Sequence, residues 1–198
     1  MIDYKAGNLT SVLKTLRHLG AEAIVTDGDL SLVESAERII LPGVGHFAAT
    51  QRLDATGLTG AIRAAIARGV PFLGICVGMQ WLYAGSTEAP DQPGLGHFLE
   101  SCTRFAESTE KVPHVGWNSL EVREGSKLLR GVELGEFVYF THSYKGPVTA
   151  ETAAVTRYIE PFAAAVERGN VMGVQFHPEK SGATGLKILR NFLAWEAN

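Results

Sequence analysis

The sequence predicts a single α/β domain with a largely parallel, doubly wound central sheet, helices on both faces, and antiparallel strands in the C-terminal half. Three observations predict it. Up to about residue 90, short apolar runs alternate with helical periodicity, the pattern of βα units around a parallel sheet. Beyond that point strand-like runs crowd together, with one helix at the end. The chain has 198 residues, 45% of them hydrophobic, which suffices for one substantial core.

The elements follow in order. Residues 2–4 read as a short first strand. Asn8 is placed to cap a helix in which Leu9, Val12, Leu13, Leu16 and Leu19 keep helical spacing, and Gly20 stops it. Residues 21–26 read as a second strand and 30–35 as a short helix. Arg38-Ile39-Ile40-Leu41 is a third, buried strand. Residues 57–68 form an Ala-rich helix closed by Gly69, and 70–75 a fourth strand that delivers Cys76. Further strands are expected at 98–105, 119–123, 137–144, 153–158, 163–167 and 171–176, with Arg168-Gly169-Asn170 as a hairpin turn and a last helix at 184–195. No repeat, low-complexity tract or linker divides the chain, so residues 1–198 read as one domain.

Composition excludes several classes. Net charge is −3 without any basic run, so neither nucleic acid nor an anionic membrane is an expected partner. No apolar stretch approaches the ~18 residues needed to span a bilayer, and the first residues lack the features of a signal peptide. The two cysteines, Cys76 and Cys102, are not expected to pair, and the chain reads as cytosolic. Cys102 reads as an inert strand residue. No metal-ligand spacing is present, and no metal or other cofactor is expected.

The most informative stretch is Pro71-Phe72-Leu73-Gly74-Ile75-Cys76-Val77-Gly78-Met79-Gln80. Gly-x-Cys-x-Gly at the end of an apolar run has the shape of a nucleophile elbow with sulfur in place of oxygen. A helix starting after the cysteine aims free N–H groups at the sulfur and favours thiolate. The alternative is a buried cysteine acting as a small hydrophobe. A base decides between them, and Val174-Gln175-Phe176-His177-Pro178-Glu179-Lys180 supplies a candidate. On an extended chain residues i and i+2 share a side, so Glu179 can orient His177; Pro178 prevents helix there. A strand-end histidine beside a surface glutamate is the plain alternative. Together the two motifs point to a cysteine hydrolase or acyl-transfer site.

Leu41-Pro42-Gly43-Val44-Gly45-His46-Phe47-Ala48 matches a weak dinucleotide fingerprint, Gly-x-Gly-x-x-Ala. It follows the third strand rather than the first, and the next strand ends at Cys76 rather than at an acid, so a nicotinamide or flavin site is rejected. Either this is an ordinary tight βα turn, or its backbone N–H groups serve an oxyanion.

Gly-Ile-Cys-Val-Gly-Met-Gln and Gln-Phe-His-Pro-Glu-Lys resemble the class I (triad) glutamine amidotransferases. Pro42 to Phe47, Ile2-Asp3-Tyr4-Lys5-Ala6-Gly7-Asn8-Leu9 and Pro113-His114-Val115-Gly116-Trp117-Asn118 are narrower and resemble the glutaminase subunits of imidazole glycerol phosphate synthases, over essentially the whole chain. One departure is at the start, where several apolar residues usually precede Ile-Asp-Tyr; a truncated first strand or a mis-assigned start is expected. The resemblance implies Cys76 as nucleophile, His177 as base and acid, Glu179 as orienter, and backbone N–H groups of Val44 and Val77 as the oxyanion hole. It places Gln80 and Glu88 on the glutamine side of the substrate and Ser143 and Tyr144 on its backbone. Packing and loop hydrogen bonds account equally well for His46, His114 and His142. The implied reaction is hydrolysis of glutamine, with ammonia passed to a (β/α)8-barrel cyclase subunit of histidine biosynthesis in a heterodimer. Asn8, Trp117, Asn118 and Lys180 are the candidate contacts with that partner. An amidotransferase subunit of another synthase, such as anthranilate synthase, shares the triad but not the narrower motifs. A cysteine-based stress protein or lyase on a similar fold lacks the late His-x-Glu.

Overall fold

The computed structural model describes residues 1–6 and 9–196. The elements in chain order are α1 (Leu9–His18), α2 (Leu30–Glu34), β1 (Ile39–Gly43), α3 (Gln51–Ala55), α4 (Leu58–Ala67), β2 (Phe72–Cys76), α5 (Val77–Gln80), β3 (Gly85–Ser86), β4 (Ser101–Arg104), β5 (His114–Ser119), β6 (Glu121–Val122), β7 (Phe137–His142), β8 (Tyr144–Lys145), β9 (Thr152–Tyr158), β10 (Glu160–Arg168), β11 (Val171–Val174) and α6 (Gly182–Leu193). Two 3-10 turns, Phe47–Thr50 and Pro178–Lys180, precede α3 and α6.

Six strands form the main sheet in the order β1-β2-β11-β10-β9-β6. β1, β2 and β11 run parallel. β10, β9 and β6 add antiparallel neighbours, so the sheet is mixed. The parallel strands are buried at every position, as strands covered on both faces must be. β10 turns into β11 through Arg168-Gly169-Asn170, with Gly169 at φ 61°, the hairpin expected there. The decisive pairing is β2 with β11: Ile75 lies opposite Val174. Adjacent parallel strands therefore bring Cys76 and the residues just after β11 to the same carboxyl edge of the sheet, where α/β folds bind ligands.

Some expected elements differ. Residues 2–4 and 21–26 do not form strands; only an isolated parallel bridge joins Ile2 to Thr26. Main-chain bonds from Met1 N to Ile24 O, Thr26 N to Met1 O and Asp3 N to Thr26 O complete the contact. A β-favouring composition becomes a strand only with a neighbour along its length, and residues 21–23 have no such neighbour among the described residues. Residues 114–119, read only as a motif, form β5 and pair with β7 in a separate two-stranded sheet. Asn8, the expected helix cap and partner contact, lies outside the described residues.

Candidate active site

Cys76 ends β2 at φ 55° and ψ −109°, a conformation that costs a non-glycine residue free energy and that the surroundings must enforce. Two glycines enforce it. A side chain at Gly74 would strike the backbone of Gly78 and Met79, and one at Gly78 would strike the Leu41 carbonyl of β1. The chain therefore passes close enough to turn straight from β2 into α5. α5 is a single turn, Val77–Gln80, so the sulfur faces a few free N–H groups rather than a long helix dipole. Cys102 sits in β4, fully buried, its thiol directed at the Gln80 carbonyl and its pKa pushed up by burial.

His177 Nδ1 lies 2.9 Å from Glu179 Oε1, and both side chains are 2% exposed. The expected extended His-Pro-Glu is corrected here. Pro178 opens a 3-10 turn instead of preventing helical backbone, because its fixed φ suits a first helical position and its missing N–H is not needed there. The turn carries Glu179 back under the ring. Nδ1 is committed to the carboxylate, which leaves Nε2 as the nitrogen for Cys76. Nε2 makes no formed hydrogen bond among the described residues, yet the sulfur acts on the ring's charge. Burial opposes that charge; Cys76 and then Glu179 outweigh it and raise the His177 pKa to about 9.

Beside Cys76 is a cavity of about 250 Å³ lined by Val44, Gly45, Val77, Gln80, Glu88, Pro113, Thr141, His142, Ser143 and Tyr144. All six residues read as oxyanion or substrate groups thus face one space. Their chemistry is more constrained than the sequence implied. Val44 donates its N–H to the Ala6 carbonyl at 3.0 Å, so the N–H expected to serve an oxyanion is engaged elsewhere in the observed conformation. Val77 begins α5, and its N–H is one of the first-turn donors without an intrahelical acceptor. Gln80 uses its amide nitrogen on the Tyr144 carbonyl at 2.9 Å and on Gln175 Oε1 at 3.2 Å, which leaves its oxygen for a ligand. Glu88 Oε2 accepts from the Phe47 N–H at 2.7 Å and pins the far end of the loop after β1.

The partner candidates divide. Trp117 is 55% exposed on β5, opposite Tyr139 of β7, and Lys180 Nζ lies 5.8 Å from the Tyr139 ring. Val115 and Phe137 extend this exposed apolar face, each 57% exposed. Asn118 alternates to the other side: its amide donates to the Arg157 carbonyl at 3.1 Å and lies 3.4 Å from His114 Nε2. It is part of the interior network, because neighbouring strand residues point to opposite faces.

Gln175 was not singled out in the sequence. It is fully buried, and its Nε2 lies 3.7 Å from Cys76 Sγ. A signal was present: an amide inside the apolar run 171–176, two residues before His177, must find buried partners.

The profile described as glutamine amidotransferase class-I matches residues 1–195, and the chain belongs to that family. The relatives it resembles are more particular. Imidazole glycerol phosphate synthase subunit HisH of Deinococcus radiodurans is 46% identical over 196 residues, covering 97% of this chain and 91% of that protein. HisH of Methanosarcina acetivorans is 45% identical over 196 residues, covering 98% and 96%; HisH of Aquifex aeolicus is 42% identical over 195, covering 97% and 94%. Among solved structures, a glutamine amidotransferase superposes with a TM-score of 0.75 at 22% identity, over 97% of this chain and 95% of that one. PurLQS from Thermotoga maritima gives 0.73 at 22%, over 97% and 95%. At that identity these two structures speak for the fold alone.

Proposed function

We propose that the chain, acting as one domain over residues 1–198, hydrolyses L-glutamine to glutamate and ammonia in the cytoplasm and hands the ammonia to a barrel-shaped cyclase subunit that makes imidazole glycerol phosphate and an aminoimidazole carboxamide ribonucleotide. One observation carries the chemistry: Cys76 and the His177–Glu179 pair converge beside an open-mouthed cavity at the carboxyl edge of two adjacent parallel strands. The names of the HisH relatives support the particular pathway over another synthase.

The Cys76 thiolate attacks the side-chain amide carbon and forms the C–S bond. His177, protonated, gives its proton to the amide nitrogen as the C–N bond breaks, and ammonia leaves a thioester on the sulfur. Water then attacks the thioester carbon and His177 takes its proton. The C–S bond breaks, releasing glutamate and restoring the thiolate–imidazolium pair. Glu179 keeps Nε2 turned to the sulfur and stabilises the charged ring. The negative oxygen that develops in both steps needs donors, and the Val77 N–H is one.

The second donor, Val44, is held by Ala6 in this conformation. Loss of one oxyanion donor costs about 10²–10³ in kcat. A flip of the Gly43–Val44 peptide, eased by the flanking glycines, supplies the donor when the partner engages. This makes the isolated chain slow and prevents waste of glutamine. Trp117, Tyr139 and Lys180 present the docking face, in keeping with the enrichment of aromatic residues at interfaces.

The test is glutamate release by the chain alone, with the cyclase, and with the cyclase and its ribonucleotide. Stimulation of about 10²-fold or more is expected. Cys76→Ala is expected to fold and release no glutamate. Retained release in that variant overturns the reaction, and full activity of the isolated chain overturns the switch.

A further inference from the structure

Gln175 lies immediately beyond β11, between Val174 and Phe176, with none of the three exposed. Its backbone N–H is spent on the Ala164 carbonyl at 2.8 Å. Its side chain bridges two groups: Oε1 lies 3.2 Å from Gln80 Nε2, and Nε2 lies 3.7 Å from Cys76 Sγ. An amide can be turned either way in such a slot, and the neighbours decide which way. Here they leave one choice. The Tyr144 carbonyl can only accept, so the group of Gln80 that sits 2.9 Å from it is the NH₂. The same NH₂ meets Gln175, which must answer with its oxygen. The nitrogen of Gln175 is then left facing the sulfur.

The other side of Tyr144 agrees. His142 Nδ1 is 2.9 Å from the same carbonyl and must carry its proton there. His142 Nε2 is then bare and accepts from His114 Nδ1 at 3.2 Å, and His114 Nε2 faces the Asn118 amide. Burial lowers both rings, His114 to about 4 and His142 to about 3, so both are neutral and this assignment holds at ordinary pH. His142 and Gln80 both donate to this one carbonyl, and the second N–H of the Gln80 amide carries the relay through Gln175 to the nucleophile.

Building on the glutaminase reading, we infer that Gln175 is a functional residue of the reaction: its side-chain N–H donates to the Cys76 sulfur, and the Tyr144 carbonyl, through Gln80, keeps that donor aimed. A hydrogen bond to the charged form favours that form. The contribution matters because α5 is a single turn and offers the sulfur little dipole. The donor acts twice. It favours thiolate over thiol before attack, and it stabilises the sulfur again when the thioester breaks and negative charge returns to it. His177 approaches the sulfur as the acid–base partner, and Gln175 provides an N–H that never leaves.

The experiment uses the full chain and needs no substrate. Ultraviolet thiolate absorbance is followed against pH in the parent, in Gln175→Met, in Gln175→Glu and in Gln80→Met, with Cys76→Ala as the blank. Cys102 is silent, because burial keeps it a thiol. Gln175→Met keeps the bulk and removes the donor; its thiolate signal is expected to appear about one pH unit higher, and alkylation by iodoacetamide at neutral pH to slow several-fold. Gln175→Glu keeps the bond to Gln80 and replaces the donor with an acceptor, so a larger upward shift is expected; it serves if the Met variant does not fold. Gln80→Met frees the amide of Gln175 to turn and is expected to give an intermediate shift. Folded Gln175 variants that titrate and alkylate like the parent overturn the inference and leave Gln175 a packing residue. The two readings fail separately: a parent chain that releases no glutamate with the cyclase and its ribonucleotide sinks the glutaminase reading while the titration still reports on the sulfur.

Discussion

Two loops leave the carboxyl ends of neighbouring strands, β1 and β2, and they are held in opposite ways. The elbow after β2 is locked by close backbone packing. Cys76 keeps a strained φ of 55° because Gly74 and Gly78 lie against backbone, with no flexible side chain between. The loop after β1 is held by reversible bonds, Val44 N–H to Ala6 at one end and Phe47 N–H to Glu88 at the other. Gly45, at φ 93°, has open space around it. Tyr4 puts a buried hydroxyl against Gly43 with no hydrogen-bond partner among the described residues, so the loop is not fully satisfied where it stands. A neutral hydrogen bond contributes only about 1 kcal/mol, whereas a backbone collision cannot be relaxed locally. The lesson is a division of labour. The strained turn at Cys76 is permanently built, and the loop beside it is held by bonds that can exchange.

The comparison breaks most visibly at Gly78. Gly78→Ala puts a methyl group against the Leu41 carbonyl; a loss of at least about 4 kcal/mol is expected, enough to unfold a domain of ordinary stability. Denaturant melting that matches the parent would show that the elbow is not locked. Val44→Pro tests the other loop. Proline removes the N–H that bonds Ala6 and that we propose for the oxyanion, while an extended Gly43 tolerates it. Stimulated kcat is expected to fall about 10²–10³-fold with a stability loss of only about 1 kcal/mol; unchanged kcat removes Val44 from the site. The smallest effect sharpens the picture on the opposite wall of the cavity. His114 and His142 are neutral in the fold, with lowered pKa values of about 4 and 3, and protonate near pH 6.5 once unfolded. The unfolded state binds more protons below that pH, so their contribution is present above about 6.5 and is lost as pH falls toward 4. The expected slope is about 1.4 kcal/mol per pH unit per ring. His142→Phe, measured by urea melts from pH 7 to about 4.5, should flatten it; an unchanged slope shows that this wall does not depend on neutral rings.

By itself the sequence determined the features whose physics is local. Gly-x-Cys-x-Gly specifies a sharp turn because Gly74 must clear the backbone of Gly78 and Met79 a few residues on, although Gly78 also clears Leu41 of β1, and the alternation of apolar periods specifies βα units because burial follows repeat. The position of His177 just past an apolar strand, with Glu179 within reach, was legible for the same reason, although the route was a 3-10 turn and not an extended chain. Tertiary structure alone decided the rest. Cys76 and His177 stand 101 positions apart, and only the pairing of β2 with β11 brings them to one edge. Residues 21–26 have strand composition but little strand beside them. Asn118 and Trp117 are adjacent in sequence and point to opposite faces, one into the histidine network and one to solvent. The engagement of Val44 with Ala6 and the aim of the Gln175 amide depend on which carbonyl arrives from a distant segment. Hydrogen-bond direction is a property of partners, and partners are chosen by how the chain closes on itself.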